Sequence, residues 1–128
     1  MVHPVETEKE EAQMNLKGYV SVRVPVPVSV QNMVVRDYCA KNGHTYSLSD
    51  VEFVSGFHML QGAVCYDGFD GICAYSMHLF PEDEAERDLI LVAAEEGGMQ
   101  IHFALEGYVY PRDAEMLDTV WRLKSLIP

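Results

Sequence analysis

Residues 17–46, KGYVSVRVPVPVSVQNMVVRDYCAKNGHTY, decide the fold class. Over 18–24, Val20, Val22 and Val24 alternate with Tyr19, Ser21 and Arg23, the period-two pattern of a strand with two different faces. PVPVS follows. Its two prolines exclude a helix and a central strand, so it reads as a stiff loop. Ser29 is a residue type that caps helices, and Val30, Met33, Val34 and Tyr38 recur at helical spacing, which predicts a helix over 30–42. Asn42-Gly43 stops it, because glycine tolerates the left-handed end conformation. HTYSL, 44–48, is then a short second strand. Strand, crossover helix and strand make the unit from which parallel sheets are built.

The remaining chain continues the alternation. A loop runs through Asp50 and Glu52, and FHMLQGAVC, 57–65, reads as a weak helix interrupted by Gly62. FDGICAY, 69–75, is a buried third strand. Pro81 and a set of acids open a helix over 82–96, since acids in a first turn suit the positive end of the helix dipole. Ala85, Leu89, Val92 and Ala93 give it an apolar stripe, and Gly97-Gly98 ends it. MQIHFAL, 99–105, is the fourth strand. After Pro111 comes a last amphipathic helix with Leu117, Val120, Trp121 and Leu123 apolar. The expected fold is α/β in three layers: a mostly parallel four-stranded sheet covered by helices, with strand one beside both two and three. Residues 1–15 are expected to form a flexible acidic tail and 16–128 a single domain.

The 128 residues suit one core, and 48% hydrophobic residues is the proportion of a globular protein. The net charge of −11 is concentrated in two places. Residues 1–13 carry four acids against Lys9, and 82–96 carry seven against Arg87, leaving nine acids against seven bases elsewhere. No Lys/Arg stripe is present to neutralise phosphates along a duplex, so nucleic acid is not an expected partner. No apolar run approaches the ~20 residues that span a bilayer, and the first residues lack the pattern of a secretory signal. Cys39, Cys65 and Cys73 are an odd set without CxxC spacing, which fits reduced thiols in a cytoplasm. His44, His58, His78 and His102 show no ligand spacing, so no metal is expected. No glycine-rich phosphate or dinucleotide loop follows the first strand, and no cofactor is expected.

Two resemblances follow from quoted motifs. GYV in the first strand, Gln31 on the next helix, VSG at 54–56 and Glu106 after the last strand resemble the catalytic domain of serine recombinases across residues 18–107, which implies a resolvase-like or flavodoxin-like fold. That family's nucleophilic serine lies two residues beyond an arginine of the first strand. Here Ser21 precedes Arg23. The arginines that clamp its scissile phosphate after the third strand are also missing, since YSMHLFPED holds none before Arg87. The resemblance therefore implies the fold and not the activity. A longer one covers about 17–126: VQNMVVRDYC and DGICAYS look like the sporadic carbohydrate cluster protein family, bacterial proteins encoded among polysaccharide and surface-sugar genes. It implies a carbohydrate setting and names no reaction.

In parallel α/β sheets, sites lie at the carboxyl ends of the strands. That rule selects the candidates. Arg23 would clamp an anion, with Ser21 beside it and Gln31, Asn32 and Arg36 on the following helix orienting substrate hydroxyls or charge. Glu52 and Ser76 would complete the binding set. Glu106 or His102 would move a proton, the two acting together if the sheet end pairs them, and Tyr75 would steady the substrate. The expected function is a small enzyme performing cofactor-independent acid–base chemistry, of isomerase, lyase or hydrolase type, on a sugar, sugar phosphate or nucleotide sugar. The alternative is a non-catalytic partner of another enzyme, using an apolar surface such as the Trp121 helix. A homo-oligomer is expected, because Met116 and Ile127 add apolar surface beyond what one sheet face requires.

Overall fold

The computed structural model describes residues 13–53, 56–66 and 68–126. The tail expected over 1–15, the VS of VSG and Ile127 thus lie wholly or mostly outside the described residues. The strands are β1 (Asn15–Ser21), β2 (Thr45–Glu52), β3 (Gly71–Ala74), β4 (Gln100–Phe103) and β5 (Tyr108–Tyr110). The helices are α1 (Val28–Lys41), α2 (His58–Val64), α3 (Glu84–Glu96) and α4 (Ala114–Ser125). The sheet order is β2-β1-β3-β4-β5. The first four strands are parallel, with β1 between β2 and β3, as the sequence predicts. β5 is a correction: it pairs antiparallel with β4, so the sheet has five strands among the described residues and not four. It is three residues long and returns through a turn at Gly107, whose φ of 80° glycine accepts freely.

The pleat sorts side chains into two cores. Leu16, Val20 and Cys73 face α1, where they meet Val35 and Cys39. Tyr19, Ile72, Ala74, Ile101 and Phe103 face the opposite way, into a larger core with Leu60 of α2, Ile90 and Leu91 of α3, and Leu117 and Trp121 of α4. Among the described residues one helix covers one face and three cover the other, which gives the three layers.

Several local readings change. Arg23 lies in the turn after β1, not in the strand. Ser29 is inside α1, which starts after Pro27 without a side-chain cap. The buried face of α1 is Gln31, Val35 and Cys39, one position round from the expected stripe, and Val30 and Met33 are exposed. β2 runs on to Glu52, so Asp50 and Glu52 are strand residues and not a loop. A 3-10 turn, Met77–Leu79, follows β3, and α3 is capped by the Asp83 carboxylate accepting from the Glu86 N–H at 2.9 Å. Arg87, the basic residue of α3, is on its buried face. It stacks 4.6 Å from the Trp121 ring and donates to the carbonyls of Pro81 and Glu82. Trp121 is itself core, donating its indole N–H to the Met77 carbonyl at 3.1 Å, so it offers no surface to a partner.

The β1–β2 register contains one extra β2 residue. Leu16 pairs with Tyr46 and Gly18 with Ser49. This bulge turns Tyr46 and Ser49 to the same face, where both hydroxyls reach Asn32 of α1. A Cβ on Gly18 would overlap the Ser49 hydroxyl, which is why glycine stands there.

Candidate functional site

A cleft of about 450 Å³ opens beyond the carboxyl ends of β1 and β3. Ser21, Arg23 and Val24 form one wall, Phe57 a second, and His78, Leu79 and Phe80 of the 3-10 turn a third, with Glu82 and Lys124 at the rim. The strand ends place it there: β1 delivers Ser21 and Arg23, and β3 runs directly into the turn that carries His78.

The wall is built by hydrogen bonds that close locally. Gln31 is fully buried; its amide oxygen accepts from the Ser21 N–H at 3.0 Å, and its amide nitrogen donates to the carbonyls of Ser21 and Val26 at 2.7 and 2.8 Å. It thus fixes the proline loop to the end of β1. The Ser21 hydroxyl accepts from the Arg23 N–H at 3.1 Å and sets the direction in which the arginine leaves the strand. The guanidinium lies 4.2 Å from the centroid of the Phe57 ring, a cation–π contact that holds it without using its N–H donors. Among the described residues no carboxylate pairs with Arg23. Lys124 leans on Glu82 at 3.6 Å, an exposed contact of little energetic weight.

Below the cleft, Glu106 supports the turn. One carboxylate oxygen accepts from the Ser76 hydroxyl at 2.6 Å and the other from the Met77 N–H at 3.0 Å, while the Ser76 oxygen accepts from the His78 N–H at 3.1 Å. The pair caps the segment that presents His78. Neither Ser76 nor Glu106 lines the cleft itself.

Other expected site residues are placed elsewhere. Glu52 is buried, accepting from the Tyr19 hydroxyl at 2.7 Å and from the Met59 and Leu60 N–H groups at the start of α2. Burial, with the Glu52 carboxylate next to it, pushes the Tyr19 phenol far above its usual range. Asn32 is occupied by Tyr46 and Ser49. Arg36 is exposed on α1, away from the cleft lining. Tyr75 is half-buried between the two cores, its backbone bonded to Tyr19 and Leu105.

His102 faces α1, and the pairing imagined with Glu106 is not made. Its Nδ1 meets the Tyr38 hydroxyl at 2.6 Å and its Nε2 the Gln100 amide oxygen at 3.0 Å, an arrangement that fits a neutral ring protonated on Nε2. The His44 ring stands edge-on at 5.2 Å. Burial, then His44 and Arg112, lower the His102 pKa to about 4. Burial likewise pushes the Tyr38 phenol up to about 12. Cys39 and Cys73 are buried on this same face as free thiols within the α1 core.

The structure therefore brings Ser21 and Arg23 to one cleft and places Ser76 and Glu106 as its support. The sequence reading did not include Phe57, His78 or Lys124 in the site. A recognisable signal existed only for His78, four residues beyond the end of the third strand. Among the described residues no group of three or more His, Cys, Asp or Glu side chains is arranged to hold a metal ion, and no helix is long and apolar enough to cross a membrane. No family model, curated protein or solved structure matches the chain.

Proposed function

We propose that the chain binds a small anionic metabolite, a sugar phosphate, nucleotide sugar or sugar acid, in the Arg23 cleft and performs cofactor-independent acid–base chemistry on it. One observation carries this reading. In a chain with 20 acidic residues, Arg23 stands at a strand end with no carboxylate partner among the described residues, braced on an aromatic ring and free to donate. A planar guanidinium in that state suits a phosphate or carboxylate, which it grips through two parallel N–H bonds. Imidazole is the side chain most used for proton transfer near neutral pH, and His78 lines the same cleft. His78 takes the proton-transfer role here. Ser76 and Glu106 position it through the turn rather than touching substrate. The likeness of VQNMVVRDYC and DGICAYS to the sporadic carbohydrate cluster family supports the carbohydrate part of the proposal.

The test is a thermal-shift and calorimetric screen with inorganic phosphate, hexose phosphates, nucleotide sugars and sugar acids, since a ligand selective for the folded state raises the melting temperature. Arg23→Ala should lower affinity at least tenfold for the stabilising compound while leaving the unliganded melting temperature unchanged. Equal binding by Arg23→Ala would remove the cleft from consideration. His78→Gln should keep binding and lose turnover.

A further inference from the structure

The stripe Ala85, Leu89 and Val92 has the i, i+4, i+7 spacing of a packed helical face, yet it faces solvent. Leu89 is 74% exposed and Val92 48% exposed, while Arg87, Ile90, Leu91 and Ala94 take the core side of α3. Beside the stripe a groove of about 220 Å³ runs between α2 and α3, lined by Gln61, Val64, Cys65, Leu89, Ile90 and Ala93. Its floor is apolar. The helix along its edge is acidic: α3 carries Glu84, Glu86, Asp88, Glu95 and Glu96, of which Glu84 meets Arg122 at 3.5 Å and Glu95 accepts from the Tyr110 hydroxyl, and its basic residue Arg87 is buried under Trp121.

We infer that this face docks a basic amphipathic helix of a partner protein. Apolar anchors one turn apart would enter the groove and cover Leu89 and Val92, and lysines or arginines flanking them would meet the acids of α3. The sign of the rim selects this occupant. A second copy of the chain would bring the same acids, net −6 over 82–96, against themselves, so the face is not built for self-association. An acidic or neutral helix would gain the apolar contact and lose the charge match. The surface is distinct from the Arg23 cleft, which opens at the strand ends, and the inference does not depend on the chemistry proposed there.

Cys65 lines the groove and is exposed, whereas Cys39 and Cys73 are buried, so a thiol-reactive fluorophore will report from Cys65. The probes are three synthetic peptides: a leucine–lysine peptide patterned as an amphipathic helix, the same composition scrambled, and a leucine–glutamate peptide with the first pattern. The first should bind with micromolar affinity. The other two, and Leu89→Ser/Val92→Ser against the first, should bind at least tenfold more weakly. That double variant changes only exposed side chains, and its melting curve reports on folding. Amide chemical shifts in isotope-labelled protein that carries no fluorophore should move on α2 and α3. Three results overturn the inference: equal binding of the scrambled peptide (charge alone), equal binding of the acidic one (apolar contact alone), or an unchanged affinity of the double variant. Sedimentation of the parent as a dimer that Leu89→Ser dissolves would assign the face to a second copy instead.

Discussion

Acidification tests the His102 environment with a sign and a size. A histidine in an unfolded chain titrates near 6.5, and His102 in the folded protein near about 4. Among the described residues the groups facing it are the Tyr38 hydroxyl, the Gln100 amide, His44 and Arg112, none of them an anion that would welcome a second proton. Between those two values the unfolded state binds a proton that the folded state refuses, so stability is full above about pH 6.5 and falls with pH until about 4. A difference of that size amounts to about 3 kcal/mol, of which roughly 2.5 has been lost at about pH 4.5. Other groups titrate in the same range, so the informative quantity is a difference between proteins. His102→Gln keeps a polar side chain and removes the titration. Its stability deficit relative to the parent, measured by urea unfolding near pH 7, should shrink by about 2 kcal/mol or reverse near pH 4.5. A pH-independent deficit, or an imidazole resonance for His102 that titrates above pH 6, would refute the reasoning.

Gln31→Ala removes the partner of two buried backbone groups of Ser21 and of the part-buried Val26 carbonyl and should cost roughly 2–4 kcal/mol in denaturant unfolding; a loss below about 0.5 would show that water replaces the amide. Glu52→Ala strands the Tyr19 hydroxyl and two N–H groups of α2, with an expected cost of about 3 kcal/mol and faster hydrogen exchange at Met59 and Leu60. A duplex oligonucleotide should not be retarded by micromolar protein at physiological salt, because the chain has no basic stripe to release counterions; a retarded band would overturn the charge argument.

The parallel sheet was legible because β3 and β4 are short apolar runs, because β1 alternates, and because the βαβ unit of 17–46 admits few other readings. The parts that escaped share a physical cause. Gln31 is a polar residue on the buried face of α1, so the apolar stripe was placed one position round. Arg87 does the same in α3: its methylenes and planar head pack on Trp121, a burial that no hydrophobicity pattern anticipates. β5 is too short to show a period. For the site, the rule that ligands gather at strand carboxyl ends located Arg23 and Ser21. It also pointed to residues whose polar atoms the fold had already occupied, as with Glu52 and Asn32. Phe57 and Lys124 reach the cleft from distant parts of the chain, and only the tertiary structure brings them together.

The extra residue in β2 affects how the molecule behaves when crowded. Among the described residues β2 is the outer strand on its side of the sheet. Strand addition needs donors and acceptors in an unbroken row at regular spacing, and the bulge interrupts that row between Tyr46 and Ser49, leaving only 45–46 and 49–52 in register. The opposite margin, β5, offers three residues. Each edge therefore offers only short stretches of regular spacing to an incoming strand, which disfavours a long ladder growing from the margins of the sheet.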